Sequence, residues 1–400
     1  MPEPTRTVAL LTTLAVTGGA AAVVAGDALV GAPAAAAAPA ARCPIAPSQP
    51  TTLPELSAER LRAALGTLPD AEVSAALVQI RGSAGCWQDS EGIADTRSHR
   101  PVPPDARFRI GSMTKVFTAV VALQLVAEGR LDLDRSVQHY LPGLLPADYP
   151  TITVRQVLSY TSGLNGVGVP HKDPDWFLAH RYDHWAPGSQ LDLTRPPLFT
   201  PGSRQRYANA DYWLAGLLIE RVTGNRWDEE VTERIIRPLH LTGTSAPVDD
   251  PRIHGPHVRG YEVIDGRWVD VTEANPSLQW SAAAMISTAG DLDRLLVELF
   301  GGRLVPPAQL ELMFTVPDVP AYDGDDDPTN DRPAEYGMGL SRYRMGALTI
   351  WGKSGDRPGY NSGFGATRDL SRRLVYSVNT LHMGGEQPDI AQRIIVSTFF

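Results

Sequence analysis

Arg107-Phe108-Arg109-Ile110-Gly111-Ser112-Met113-Thr114-Lys115-Val116-Phe117-Thr118-Ala119-Val120-Val121 sets a serine, and three positions later a lysine, at the head of a strongly apolar helix. Residues i and i+3 of a helix share a face, so the Lys115 amine can reach the Ser112 hydroxyl. Gly111 lets the backbone turn tightly into the helix. The helix N-terminus adds positive potential where an oxyanion would form. The arrangement is one for making a nucleophile of Ser112. A bare S-x-x-K recurs by chance, so its weight depends on motifs elsewhere in the chain.

Two such stretches lie downstream, in order. Tyr207-Ala208-Asn209 comes after the turn Pro201-Gly202-Ser203 and opens a helix predicted over Ala210 to Val222, with Trp213, Leu214, Leu217 and Leu218 as its apolar stripe. Lys353-Ser354-Gly355 comes after the strand-like Ala347-Leu348-Thr349-Ile350-Trp351 and leads to Asp356-Arg357-Pro358-Gly359. S-x-x-K, then Y-x-N, then K-S/T-G resembles the three-part signature of the serine penicillin-recognising enzymes. Within that β-lactamase/penicillin-binding protein superfamily, the chain is most similar to the D-alanyl-D-alanine carboxypeptidase and class C β-lactamase branch with its esterase relatives. Val157-Leu158-Ser159-Tyr160-Thr161-Ser162-Gly163-Leu164, Phe199-Thr200-Pro201-Gly202 and Ile286-Ser287-Thr288-Ala289-Gly290-Asp291-Leu292 look similar to that branch as well. The likeness runs from about residue 70 to about residue 395.

The resemblance implies an α/β plus α fold: an antiparallel β-sheet flanked by N- and C-terminal helices, with an inserted all-helical domain and the site in the groove between. It implies an acyl-enzyme at Ser112, with Lys115 and Tyr207 as the other catalytic residues and Tyr207 lying between Lys115 and Lys353. Its oxyanion hole corresponds here to the backbone amides of Ser112 and Asp356. Chemistry adds detail. Lys115, desolvated and near another cation, should have a lowered pKa and take a proton. Two nearby cations favour a Tyr207 phenolate, a base for Ser112 and later an acid for the leaving group. Ser354 can donate to substrate, and Gly355 leaves room for a substrate backbone against the strand. Asn209, Lys353, Ser354, Gly355 and Asp356 are therefore the expected substrate-binding residues. Read alone, Tyr207 would pass for a packed aromatic and Asn209 for a helix N-cap.

Two departures bear on the substrate. Carboxypeptidase members clamp the substrate carboxylate with a basic residue on the strand before K-S/T-G, where this chain has Ser341 after Tyr336-Gly337-Met338-Gly339-Leu340. Arg342 and Arg344 fall on the opposite face by strand alternation. Position 356 is often a hydroxyl residue; Asp356 would instead repel a carboxylate, and Arg357 is placed to compensate. The leading expectation is an exported serine hydrolase acting on wall peptides as a D-alanyl-D-alanine carboxypeptidase. An esterase, another amidase, a β-lactamase or a penicillin-binding sensor without turnover are the alternatives. The substrate would then be a small molecule or peptide: a wall peptide, a β-lactam or an ester.

Other features carry less. His180 and His184 have zinc-helix spacing, but no Glu follows His180 and no third ligand is evident, so no metal and no cofactor is expected. Asp323, Asp325 and Asp327 mimic a calcium loop, yet Pro328 and Ala334 occupy its required glycine and closing carboxylate positions. Gly352-Lys353-Ser354 is not a phosphate loop, because Ala347 stands where its first glycine belongs.

Four hundred residues with 43% apolar content suit a sizeable core, and a net charge of −9 without basic blocks argues against nucleic acid or anionic membrane as partner. Val8 to Val24 followed by Ala/Pro-rich sequence reads as a secretory leader over 1–42. The mature protein is expected outside the cytoplasm, monomeric and without stable membrane insertion. In oxidising surroundings Cys43 and Cys86, the chain's two cysteines, favour a disulfide. The α/β domain is expected over 43–130 and 286–400, with the helical domain over 131–285. Ser57 to Leu65 and Asp389 to Phe400 are predicted helices. Val73 to Cys86, Phe108 to Ile110, Tyr261 to Ile264, Leu348 to Trp351, Gly363 to Thr367 and Leu374 to Val378 are predicted strands, with a long loop over 166–189.

Overall fold

A computed structural model describes residues 53–324, 332–382 and 389–400, all within the compact unit Ala40–Phe400. The leader, Cys43, Asp325, Asp327 and Pro328 lie outside the described residues.

Helix α1 (Ala58–Leu65) leads into β1 (Val73–Arg81), β2 (Trp87–Asp95), β3 (Arg100–Pro101) and β4 (Phe108–Arg109). A 3₁₀ turn, Gly111–Met113, runs straight into α2 (Thr114–Ala127). Then come α3 (Val137–Tyr140), α4 (Val154–Leu158), α5 (Pro174–His180), α6 (Asn209–Thr223) and α7 (Trp227–Val231). The hairpin β5 (Tyr261–Ile264) and β6 (Arg267–Asp270) precedes α8 (Trp280–Ala283). The chain ends with β7 (Ile286–Ser287), α9 (Ala289–Phe300), α10 (Pro307–Met313), β8 (Ser341–Met345), β9 (Leu348–Arg357), β10 (Tyr360–Thr367), β11 (Arg373–Thr380) and α11 (Ile390–Phe399).

The main sheet has seven strands in the order β3-β2-β1-β11-β10-β9-β8, every pair antiparallel. Both chain ends therefore supply it, and β1 from one end lies beside β11 from the other. Strand alternation sorts its two faces. Ala75 and Leu77 of β1 and Val375 of β11 enter the core that contains α2 and α6. Val78, Ile80, Leu374 and Val378 enter a second core with Leu61, Leu65, Ile390, Ile394 and Phe399 of α1 and α11. A register shift between Val73 and Ala75 resets the alternation, which is why Val73 joins the second core.

The single strand expected from Val73 to Cys86 ends instead at Arg81. The chain reverses through Gly82, where a Cβ would stand 2.1 Å from the Ser371 carbonyl oxygen, and β2 comes next. The expected loop over 166–189 contains α5, which Asp173 caps by accepting from the Trp176 amide at 2.8 Å.

Helix α2 is buried from Thr114 to Leu123, with apolar residues on every side. Such a helix belongs in a core, and each large side chain it buries contributes about 1.5–3 kcal/mol. It packs against α6, α7, α8 and α10. Its entrance is clamped: β4 pairs with β7, and the Ile110 amide donates to the Met285 carbonyl at 3.0 Å.

Candidate active site

Ser112 lies in the 3₁₀ turn and Lys115 one turn further on, fully buried. The Lys115 Nζ is 3.1 Å from Ser112 Oγ, 2.7 Å from Asn209 Oδ1 and 3.0 Å from the Ala282 carbonyl oxygen. Amide and carbonyl oxygens can only accept, so each takes an N–H. The Ser112 hydroxyl is the one partner that can also donate. An uncharged Lys115 with two hydrogens so committed aims its lone pair at the Ser112 O–H. Burial pushes the Lys115 pKa well below its ordinary value, nearby Lys353 pushes it further, and Asp211 opposes them.

Asn209 is not the cap of α6. Ala208 holds that position, and Asn209 is the first helical residue, its side chain committed to Lys115. Tyr207, just outside α6, presents its ring to both amines: Lys115 Nζ is 5.0 Å and Lys353 Nζ 4.6 Å from the ring centroid. Among the described residues, the buried Tyr207 hydroxyl has no hydrogen-bond partner within ordinary geometry. Burial drives its pKa well above the phenol's ordinary value, with the neighbouring Ser112 hydroxyl pulling the other way. The expected phenolate is thus not the favoured form. Both amines lie over the ring, and burial lowers the pKa of each, Lys353 to about 7, which weakens their support of a phenolate. Tyr160 and Tyr336, whose ring centroids lie 5.1 and 5.2 Å away, bring no charge.

Lys353, Ser354, Gly355 and Asp356 lie inside β9. Lys353 is buried, its Nζ donating to the Ser354 carbonyl at 3.0 Å. Gly355 does not leave its space to a substrate. A Cβ there would stand 1.9 Å from the Ile110 carbonyl oxygen and 2.9 Å from the Ser112 amide nitrogen. Gly111, at φ 49°, answers it: a Cβ would meet the Asp356 nitrogen at 2.6 Å. The nucleophile turn and β9 interlock backbone to backbone, holding the Ser112 and Asp356 amides on touching segments.

Beyond Gly352, β9 has β10 on one side and no strand on the other among the described residues, because β8 pairs only over Leu348–Gly352. The two-residue turn Pro358–Gly359 makes Arg357 and Tyr360 the closing pair. Antiparallel alternation then turns the Ser354 and Asp356 peptide groups toward the open edge. The Ser354 and Asp356 side chains are exposed.

A cavity of about 190 Å³ opens over these groups, with Ser112, Tyr207, Asn209 and Asp356 in its wall. His171, Lys172, Gln279 and Arg357 join them. Lys172, from the loop before α5, forms an ion pair with Asp356 at 3.0 Å, so the carboxylate expected to repel a substrate anion is already matched. Ser341 is buried, its hydroxyl without a hydrogen-bond partner among the described residues, and Arg342 donates to the Ala334 carbonyl. His180 and His184 each bond a carboxylate of their own, Asp183 and Asp249. Lys172, Gln279 and the Ala282 carbonyl carry no motif signal; only the length of the loop from 166 to 189 hints at a wall.

The flanking stretches act as scaffold. The Gly202 amide donates to Thr161 O at 2.7 Å and the Arg206 amide to Tyr160 O at 2.9 Å, which fixes the approach to Tyr207. Ser162 bonds the buried Asp211. Thr288 caps α9 by accepting from the Asp291 amide.

An antiparallel sheet, a buried lysine on a serine hydroxyl and a tyrosine between two amines define a serine hydrolase class of the penicillin-recognising kind. The chain belongs to the β-lactamase family, whose model it matches over residues 8–397. Its fold is similar to that of a D-stereospecific amidohydrolase from Streptomyces sp., at 33% identity and a TM-score of 0.72 over 86% of this chain and 98% of that one. D-amino acid amidase from Ochrobactrum anthropi SV3, solved with D-phenylalanine, shares the fold at 24% identity and a TM-score of 0.68, over 85% and 98% of the two chains. Among curated relatives, Protein flp of Staphylococcus aureus is 31% identical over 160 residues, 38% of this chain. The match spans only 31% of the length of Protein flp.

Proposed function

We propose that the protein hydrolyses an amide bond at a D-amino acid residue through a Ser112 acyl-enzyme, in the manner of a D-alanyl-D-alanine carboxypeptidase acting on wall peptides. The observation that carries this is the Lys115 amine, whose two obligate acceptors leave its lone pair to Ser112. Lys115 takes the hydroxyl proton as Ser112 Oγ bonds to the carbonyl carbon, and the oxyanion accepts from the Ser112 and Asp356 amides. Tyr207, kept protonated by burial, gives its proton to the leaving nitrogen as the C–N bond breaks. The proton on Lys115 then restores the phenol, and water cleaves the ester by the reverse route. The open edge of β9 supports an extended peptide as substrate.

A second reading is an amidase of D-amino acid amides, favoured by the 33% identity to a D-stereospecific amidohydrolase across nearly all of that chain. Export through a leader over 1–42, a bridge from Cys43 to Cys86 and a monomeric state belong to the same proposal.

The test is labelling by a fluorescent penicillin, then turnover of D-Ala-D-Ala peptide, its L,L counterpart and a nitrophenyl ester. Covalent label on wild type but not on Ser112→Ala, with the D,D peptide preferred, is the expected result. Absence of label and turnover in the wild type would overturn the hydrolase reading. Ester turnover without D,D peptide release would move it to the esterases.

A further inference from the structure

Hydrolysis of the acyl-enzyme makes a demand that the acylating residues meet poorly. The reverse route needs the Tyr207 phenolate once more, and burial disfavours that form. A base that is neutral from the start avoids this step. His171, in the loop ahead of α5, lines the same cavity as Ser112 and Tyr207. Its ring is held in one tautomer. The Nδ1 lies 3.2 Å from the Val169 carbonyl oxygen. A carbonyl only accepts, so Nδ1 carries the hydrogen and Nε2 the lone pair. The His171 amide donates to that same oxygen at 2.8 Å, which ties main chain and ring to one point. The next residue, Lys172, is paired with Asp356 of β9 at 3.0 Å, and Asp173 caps α5. Three successive residues are thus anchored, the imidazole among them, against the strand that carries the Asp356 amide.

The surroundings keep this imidazole uncharged. Burial pushes its pKa down and Arg357 of β9 pushes it further; the Val169 carbonyl opposes them, and the smaller effects of Lys172 and Asp356 run in opposite directions. Glu262, an acid in the same wall, is engaged by the Gly359 amide at 2.8 Å. His180 and His184 differ, since each spends a ring nitrogen on a carboxylate. We propose that His171 is the base of the second half-reaction, its Nε2 taking a proton from the water that attacks the Ser112 ester. The water oxygen bonds to the acyl carbon as that proton leaves it, and the oxyanion accepts from the Ser112 and Asp356 amides. The bond from carbon to Ser112 Oγ then breaks, and Oγ takes the Tyr207 proton. The acid product returns a proton to Tyr207, and the imidazolium releases its own to solvent. One water is consumed and one proton set free with each carboxylate. This rests on the acyl-enzyme reading above and deepens it at one point, the base that water meets.

The test follows the acyl-enzyme itself. Wild type and His171→Gln are acylated with a nitrophenyl ester and freed of excess reagent, and the adduct is followed by intact mass. His171→Gln should form the adduct at a rate close to wild type and keep it about a hundredfold longer or more, within the usual reach of a positioned base. Hydroxylamine, a nucleophile that needs no base, should clear the acyl group from both proteins at the same rate, a distinction that a merely structural role would not make. In wild type, loss of the adduct to water should speed up as pH rises, because only the neutral imidazole accepts a proton. The midpoint of that limb should fall below 6.5, the ordinary histidine value, and the limb should be missing from His171→Gln. An adduct as short-lived in His171→Gln as in wild type, or a wild-type lifetime without that limb, overturns the inference. Should the variant take no acyl group at all, the wild-type limb alone decides. Absence of any Ser112-dependent adduct in wild type strikes the hydrolase reading itself, so the two failures are distinguishable.

Discussion

In the proposed mechanism Lys115 has two jobs that pull in opposite directions: its nitrogen must be close enough to Ser112 to share a hydrogen, and uncharged enough to accept it. The helix supplies the first through i, i+3 spacing, and burial supplies the second. Because only the neutral amine accepts a proton, kcat/KM should climb as pH rises through the lowered Lys115 pKa. The climb should be complete well below 10.5, the ordinary lysine value. Lys353→Met removes the neighbouring cation and should move this limb to higher pH. Lys115→Arg, permanently charged, should lose about 10²–10⁴ in acylation. A limb near 10.5 in the wild type would contradict a neutral Lys115. Tyr207→Phe should cost a similar factor on amides and less on a nitrophenyl ester, whose leaving group needs no proton; equal losses on both would remove Tyr207 as the acid. Ser112 and Lys115 are legible in the sequence because their spacing fixes their contact. The Ala282 carbonyl is not, since a backbone acceptor 167 positions away leaves no trace in residue type.

At the scale of elements, the site is the junction of the 3₁₀ turn before α2 with the open end of β9. Gly111 and Gly355 are where those elements touch, and the missing side chains define the spacing between the two amides. Gly355→Ala must move the Ile110–Ser112 turn. It should reduce acylation by about 10²–10³, the worth of an oxyanion donor, and destabilise the fold by about 1–3 kcal/mol through overpacking. Stopped-flow acylation beside urea unfolding would measure both, and acylation at wild-type rate would refute the interlock. The glycines are visible in the sequence, but residue type cannot say whether Gly355 makes room for a substrate or, as it does, for the chain's own backbone. The strands read best where they are apolar on both faces, as in Val73–Ile80. β2, with Gln88, Asp89, Ser90 and Glu91 in its centre, lacks that run and gives no strand signal. Lys172 and α5 are invisible for another reason: loops reach a site through geometry that periodicity does not encode.

For the whole molecule, the sheet that carries β9 is closed by joining the two chain ends, β1 to β11 and α1 to α11. Buried Arg372 fastens that closure. Its guanidinium donates to the Thr398 carbonyl at 2.7 Å in α11, to Pro54 at 2.7 Å ahead of α1, and to Ala84 at 2.6 Å in the turn between β1 and β2. Three segments far apart in sequence share one cation, while Ser112, Lys115 and Tyr207 lie in the 3₁₀ turn, in α2 and just before α6, on the side of the sheet that packs α2 and α6. Arg372→Met keeps much of the apolar stem and removes all three donors, leaving carbonyls that must find water or stay unmatched. The expected loss is on the order of 3 kcal/mol, a Tm lower by roughly 5 °C, with acylation at low temperature close to wild type. Scanning calorimetry beside penicillin acylation at about 15 °C, near the usual temperature of maximum stability, would read the two effects separately. Loss of acylation at full stability would mean that the clasp and the site are coupled, and that closure of the chain ends positions β9 rather than only supporting it.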